Sequence, residues 1–154
     1  MPPAPYRLAG GETPMAQGPD VAVSLSVSAG ARENVSGFVR RSQLPVALHL
    51  DLAPERGAGI TAIGGPAEAL GWALAARDAV RATARTWSAL KLHLFLIGPA
   101  GCALLLGHLW LHVPPTQVYE DIGMNHAPAF FIPALPGQGP DGLTPYRWAC
   151  QAGR

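Results

Sequence analysis

Two short runs of small residues offer the best setting for ligand chemistry. Ser28-Ala29-Gly30-Ala31-Arg32 and Gly98-Pro99-Ala100-Gly101 combine chain-bending Gly or Pro with side chains too small to block close approach, so backbone amides there can meet a phosphate or a base edge. Arg32 adds a planar, permanently charged fork suited to phosphate oxygens. Neither run is a Walker sequence or a complete dinucleotide fingerprint, which argues against a nucleoside triphosphate or NAD site; the plainer reading of each is a tight turn. Tyr119-Glu120-Asp121 brings two carboxylates beside a phenol, either as an acid/base pair or as hydrogen-bond acceptors for a ligand or loop.

Other constellations carry less. Arg77, Arg81 and Arg85 fall at i, i+4 and i+8, lining one helix face for an anion or a subunit, or more simply forming a solvated face. His108 and His112 have a spacing that can grip a metal, but no Glu follows His108 and no third ligand is evident, so no metal site is expected. His93, inside an apolar segment, reads as a hydrogen-bonded core residue, and Cys102, inside an apolar helix, as a packed thiol. No Ser–His–Asp or Cys–His order emerges. No catalytic set and no cofactor are expected.

The elements that must position these residues follow from periodicity. Val21 to Ser28 alternates branched and small residues as a strand, and Ala31 to Ser42 places Val35, Phe38 and Val39 at helical spacing. Val46 to Leu52 reads as a strand, Gly59 to Ile63 as a short extended run, and Pro66 opens an Ala-rich helix reaching about Trp87. Lys91 to Ile97 is an apolar strand, Ala100 to His112 a helix, and Thr116 to Asp121 and Ala129 to Leu135 further strands. Strands separated by helices predict an α/β fold, a mainly parallel sheet flanked by helices. The expected organisation is a flexible leader over 1–19, one domain over 20–136 and an irregular tail over 137–154. In such sheets ligands gather beyond the carboxyl ends of the strands, where both small-residue runs fall.

Composition narrows the partners. The 154 residues suit a single domain with its own core; 49% are hydrophobic and 14% charged, and the net charge is +1. That balance excludes tight non-specific binding of long nucleic acid, which needs many cations to displace condensed counterions. Ten of the eleven basic residues are Arg, a slight bias toward phosphate or carboxylate contacts. Cys102 and Cys150 are too few for a disulfide framework, and the first twenty residues lack the apolar stretch of a signal peptide, so a cytoplasmic setting is expected. Leu90 to Val113 is long and apolar enough to cross a bilayer, but Gly98-Pro99 splits it into two shorter elements, so no membrane span is expected.

Taken together the segments resemble a known pattern. Lys91-Leu92-His93-Leu94-Phe95-Leu96-Ile97-Gly98-Pro99-Ala100, the helix through Gly107, then Gln117-Val118-Tyr119-Glu120 and Phe130-Phe131-Ile132-Pro133-Ala134-Leu135 look like the C-terminal half of a SAVED domain, with Val21 to Ser28 and the 67–87 helix resembling the elements before. The resemblance implies a Rossmann-like, CARF-like sensor of cyclic oligonucleotides such as cyclic oligoadenylate, used in anti-phage or type III CRISPR signalling and passing its signal to an effector. Carried over by position, it implies ligand contacts at Ser28, Gly30, Arg32, Gly98, Pro99, Ala100, Tyr119 and Glu120. The family usually carries two halves and an effector in one chain, whereas this sequence matches about one half. The implied partner is a second copy, which would sandwich the ligand between subunits, or a separate sensor or effector protein, with oligomerisation coupled to binding. The alternatives are a ring nuclease, positioning a ribose hydroxyl with Ser28, Arg32 and His93, and a purely structural adaptor for an effector.

Overall fold

The computed structural model describes residues 5–123 and 125–133. In chain order the elements are β1 (Leu8–Pro14), β2 (Asp20–Ser26), α1 (Arg32–Arg41), β3 (Val46–Pro54), α2 (Pro66–Thr86), β4 (Leu92–Ile97), α3 (Ala100–Leu109), β5 (Thr116–Asp121) and β6 (His126–Ile132). They build one sheet in the order β1-β3-β2-β4-β5-β6, in which β2 to β5 are parallel and the two edge strands antiparallel. The expected α/β class with a mainly parallel sheet is the one observed.

Strand alternation sorts side chains onto two faces. Val21, Val23 and Leu25 of β2 align with Leu48, Leu50 and Leu52 of β3 and with Leu92, Leu94 and Leu96 of β4. This face packs against α2 and α3, whose Trp72, Ala73, Ala76, Val80, Cys102 and Leu106 belong to the same buried cluster. The buried face of α2 sets Ala69, Ala73, Ala76, Val80 and Ala84 around the large Trp72 at three- and four-residue spacing. Pro66 fits the first turn of α2 because its missing N–H has no intrahelical partner there. The opposite face is covered by α1 through Val35, Phe38 and Val39, and it is more polar: Ser24, Ser26, His49, Asp51 and His93 point that way. The strand order therefore reverses between β2 and β4, with helices on both sides of the sheet.

The structure corrects several expectations. The leader expected over 1–19 contains β1, which pairs with β3 from Leu8↔Pro54 to Pro14↔Leu48. Gly10, Gly11 and Pro14 disguise it as loop, but an edge strand draws its order from the neighbour's free backbone groups and tolerates such residues. Gly59 to Ile63 forms no strand; the Gly59 N–H is taken by the Val27 carbonyl at 2.9 Å, which bends the segment over the end of β2. Helix α3 stops at Leu109, short of His112, which adopts φ 57 just before Pro114-Pro115. The final strand starts at His126 rather than Ala129; Ala134, Leu135 and the tail expected over 137–154 lie outside the described residues. Among the described residues no helix is long and apolar enough to cross a membrane.

Candidate functional site

The parallel strands deliver three loops to one rim: 27–31 after β2, 55–65 after β3, and Gly98-Pro99 after β4. Backbone hydrogen bonds stitch them together. Val27 and Ser28 donate to the Ile97 carbonyl at 2.9 and 3.0 Å, and Gly59 donates to the Val27 carbonyl. Gly98 is needed for this closeness, since a Cβ there would lie 3.1 Å from the Val27 Cβ. Each loop leads into a helix whose first turn receives no side-chain cap. The rim thus presents backbone N–H groups and the positive ends of three helix dipoles. Helix α3 has no acidic residue in its first turn and is the most receptive of the three to an anion, whereas α1 and α2 carry Glu33 and Glu68 there.

Six of the eight expected ligand contacts lie in the rim loops or the helix starts they feed. Ser28 is half-buried with its amide committed to Ile97, and Gly30 is exposed with open space around it. Gly98 is half-buried, while Pro99 and Ala100 form the exposed start of α3. Arg32 begins α1, but its guanidinium folds back over Gly11 of β1, with Nη2 3.2 Å from Thr13 Oγ1 and 3.5 Å from the Glu12 carbonyl. These are long, exposed contacts that hold the cation loosely.

Tyr119 is the clear correction. Its position in β5, opposite Phe95, turns the ring inward: it stacks on Phe95 at 4.5 Å, meets Phe38 edge-on, and places its hydroxyl 2.8 Å from His93 Nδ1. It is 8% exposed and belongs to the core beneath α1. Glu120, next in the strand, faces the other way and is exposed near the end of β5.

His93 behaves as the hydrogen-bonded core residue expected of it. Its Nε2 lies 2.9 Å from the buried Asp20 carboxylate, and burial lowers its pKa against the opposing pull of Asp20. Two members of the arginine stripe make contacts within the fold: Arg77 and Arg81 pair with Asp78, and Arg81 donates from Nε to the Leu111 carbonyl at 2.7 Å, tying α2 to the end of α3, while Arg85 is exposed. With His112 outside α3, it and His108 do not share a helix face, and among the described residues no cluster of three metal-ligating side chains forms. Cys102 is buried, which raises its pKa and makes it a packed thiol.

A buried polar chain beneath α1 escaped the sequence reading. Ser26 Oγ accepts the Ala31 N–H at 3.0 Å and donates to Asp51 Oδ1 at 2.7 Å. Ser24 also donates to Asp51 Oδ1, so its oxygen accepts from His49 Nε2–H at 2.8 Å, and Ser36 donates to His49 Nδ1 at 2.6 Å. Burial pushes the His49 pKa down to about 4 despite the raising influence of Asp51, leaving the ring neutral near pH 7. The signal was present in the sequence: polar residues at i, i+2 in both Ser24/Ser26 and His49/Asp51, on strands otherwise apolar.

Sheet topology and rim define a doubly wound α/β domain with three loops gathered at the carboxyl ends of its strands. The chain belongs to the SAVED family: the model of the SMODS-associated and fused to various effectors sensor domain matches residues 4–134. Solved structures of the Acinetobacter baumannii Cap4 SAVED/CARF-domain containing receptor share the fold. The one with the cyclic trinucleotide 2'3'3'-cAAA aligns with a TM-score of 0.66 at 17% identity, over 83% of this chain and 27% of that chain. The one with 3'3'3'-cAAA gives 0.64 at 18% identity, over the same shares. The chain therefore spans about a quarter of the receptor's length. No curated protein matches the sequence.

Proposed function

We propose that this chain is a non-catalytic sensor unit for a cyclic oligonucleotide of the oligoadenylate type, acting in anti-phage signalling and passing its signal to an effector by assembly with a second copy or a partner protein. The observation that carries this reading is the convergence of three uncapped helix starts around one rim in a SAVED fold, with Arg32 opening one of those helices. A ring of phosphates offers several anions at fixed spacing, and a rim with several N–H clusters answers that pattern better than it answers a single phosphate. The Cap4 neighbours with cyclic trinucleotides support the same ligand class. One sheet contributes one rim, so a second rim across the ring would double the available donors; this supports assembly upon binding. Of the set suggested for ring cleavage, His93 is held in the core by Asp20 and Tyr119, which favours sensing over cleavage.

Calorimetry and light scattering with cyclic tri- and tetra-adenylate test the reading, and saturable heat with a rise in mass is expected. Absence of heat and of any size change for all rings from dinucleotide to hexanucleotide would refute it. Arg32→Ala should weaken binding by about 1–3 kcal/mol, roughly 5- to 150-fold in Kd, if the guanidinium swings from Thr13 to a phosphate. Linear products appearing after incubation would instead make the protein a ring nuclease.

A further inference from the structure

The β3–α2 loop forms a cleft apart from Ser28, Arg32 and the Gly98-Pro99 turn. Arg56, Gly57, Gly59, Thr61, Gly64 and Glu68 line a cleft of about 390 Å³, within the range of small-ligand pockets. Beside it, between Gly59 and Thr61, Ile60 is 92% exposed, more than any other large apolar side chain among the described residues. The loop is not slack. Gly57 donates to the Pro54 carbonyl at 2.8 Å, Gly59 to Val27 at 2.9 Å, Ala62 to Gly59 at 3.1 Å, and Gly64 to Glu68 Oε2 at 2.6 Å. Tyr6, from the segment before β1, adds its hydroxyl to the Ala62 carbonyl at 3.3 Å. The tied loop therefore holds the cleft and the exposed Ile60 side chain beside it in a fixed relation.

We propose that this cleft is a nucleoside subsite of the cyclic ligand, in which Ile60 packs on a base, Arg56 pairs with the adjoining phosphate, and Glu68 accepts a hydrogen bond from a base N–H or ribose O–H. The inference rests on the cyclic-oligonucleotide reading and extends it to a loop with no assigned contact. Three observations converge. Arg56 makes no ion pair among the described residues, so its charge is available. Space around Gly57 and Gly59 is open, with no atom within 4 Å of where a Cβ would stand, so a flat base can approach the backbone. Glu68 repels a bare anion but accepts from a donor edge, so the cleft favours a group whose donors stand apart from its phosphate, as the base and ribose of a nucleotide do. The bond from Gly59 to Val27 places this subsite against the loop that leads to Arg32.

The test is calorimetry with cyclic triadenylate on the full chain and on Arg56→Ala, Ile60→Ser and Glu68→Gln, with Leu90→Ser as an exposed apolar control before β4, at the other end of the strands. Arg56→Ala and Ile60→Ser should each raise Kd about tenfold, Glu68→Gln severalfold, and Leu90→Ser should leave it unchanged, with all melting temperatures close to wild type. Wild-type binding with all three loop variants within twofold overturns the subsite alone. A wild-type chain that takes no ring overturns the sensor reading and the subsite with it.

Discussion

Protonation of His49 should weaken the fold in acid. The ring is fully buried, donates through Nε2 to Ser24 and accepts from Ser36 at Nδ1, so a second proton must displace the Ser36 bond and place a charge away from water. Burial lowers the pKa from 6.5 to about 4; Asp51 pulls the other way, and Arg32 and Arg40 reinforce the fall. Between those values the unfolded chain binds a proton that the folded chain refuses, so stability rises with pH through this window and is complete above it. At about 1.4 kcal/mol per pKa unit, roughly 2 kcal/mol is lost between pH 7 and pH 5 and about 3 kcal/mol by pH 4. Urea unfolding at fixed ionic strength across that range measures it, with His49→Gln as reference, because an amide can keep one donor and one acceptor in place without titrating. The stability difference between wild type and variant should shrink by those amounts on acidification. A difference that stays flat from pH 7 to pH 4, or a ring that titrates near 6 in the folded protein, would refute the argument.

Two further substitutions separate core from rim. Tyr119→Phe removes the hydroxyl facing His93 Nδ1 and leaves a buried acceptor unpaired, costing about 1–3 kcal/mol; ring affinity measured by calorimetry should not change, and a selective loss of affinity would return Tyr119 to the ligand site. Gly98→Ala forces a Cβ to 3.1 Å from that of Val27, which is 1% exposed and has little room to yield. Thermal unfolding should show a loss of about 1–3 kcal/mol, and a neutral outcome would mean the loops after β2 and β4 are less tightly joined than their hydrogen bonds indicate.

Legibility in the sequence followed the strength of local pattern. Strands β2 and β4 announce themselves by alternation and by an apolar run, α1 by Val35, Phe38 and Val39, and α2 by Pro66 and its alanines. Strand β1 was hidden because Leu8–Pro14 has two consecutive glycines and a terminal proline; its order comes from pairing along β3, a contact some forty residues away. Gly59 to Ile63 carried the opposite illusion, looking extended but lacking a ladder to join. The small residues at the ends of β2 and β4 are legible as loops at the carboxyl rim, since that placement needs only chain order. Tyr119 failed because the deciding property was parity: the side of the sheet it shares with His93 and Phe95 follows from register, which the sequence pattern alone left unread.

The buried polar chain and the exposed arginine divide the work at the start of α1. Ser26 holds the Ala31 amide and is itself held by Asp51 of β3, so the backbone of the β2–α1 loop is anchored from beneath by contacts that water does not reach easily. Moving that amide would leave buried polar groups unpaired, a cost of about 1–3 kcal/mol each. Arg32, one residue later, rests on Thr13 and Glu12 through long contacts in solvent, which are cheap to give up. A loop already in place beside a cation that is cheap to turn is what the proposed phosphate contact requires, and β3 governs both, through Asp51 on one side and through its pairing with Gly11 and Thr13 of β1 on the other. Were the guanidinium recruited as proposed, it would give up only Thr13 and Glu12, while the ladder between β1 and β3 stays whole, so neither the edge strand nor the loop needs to move.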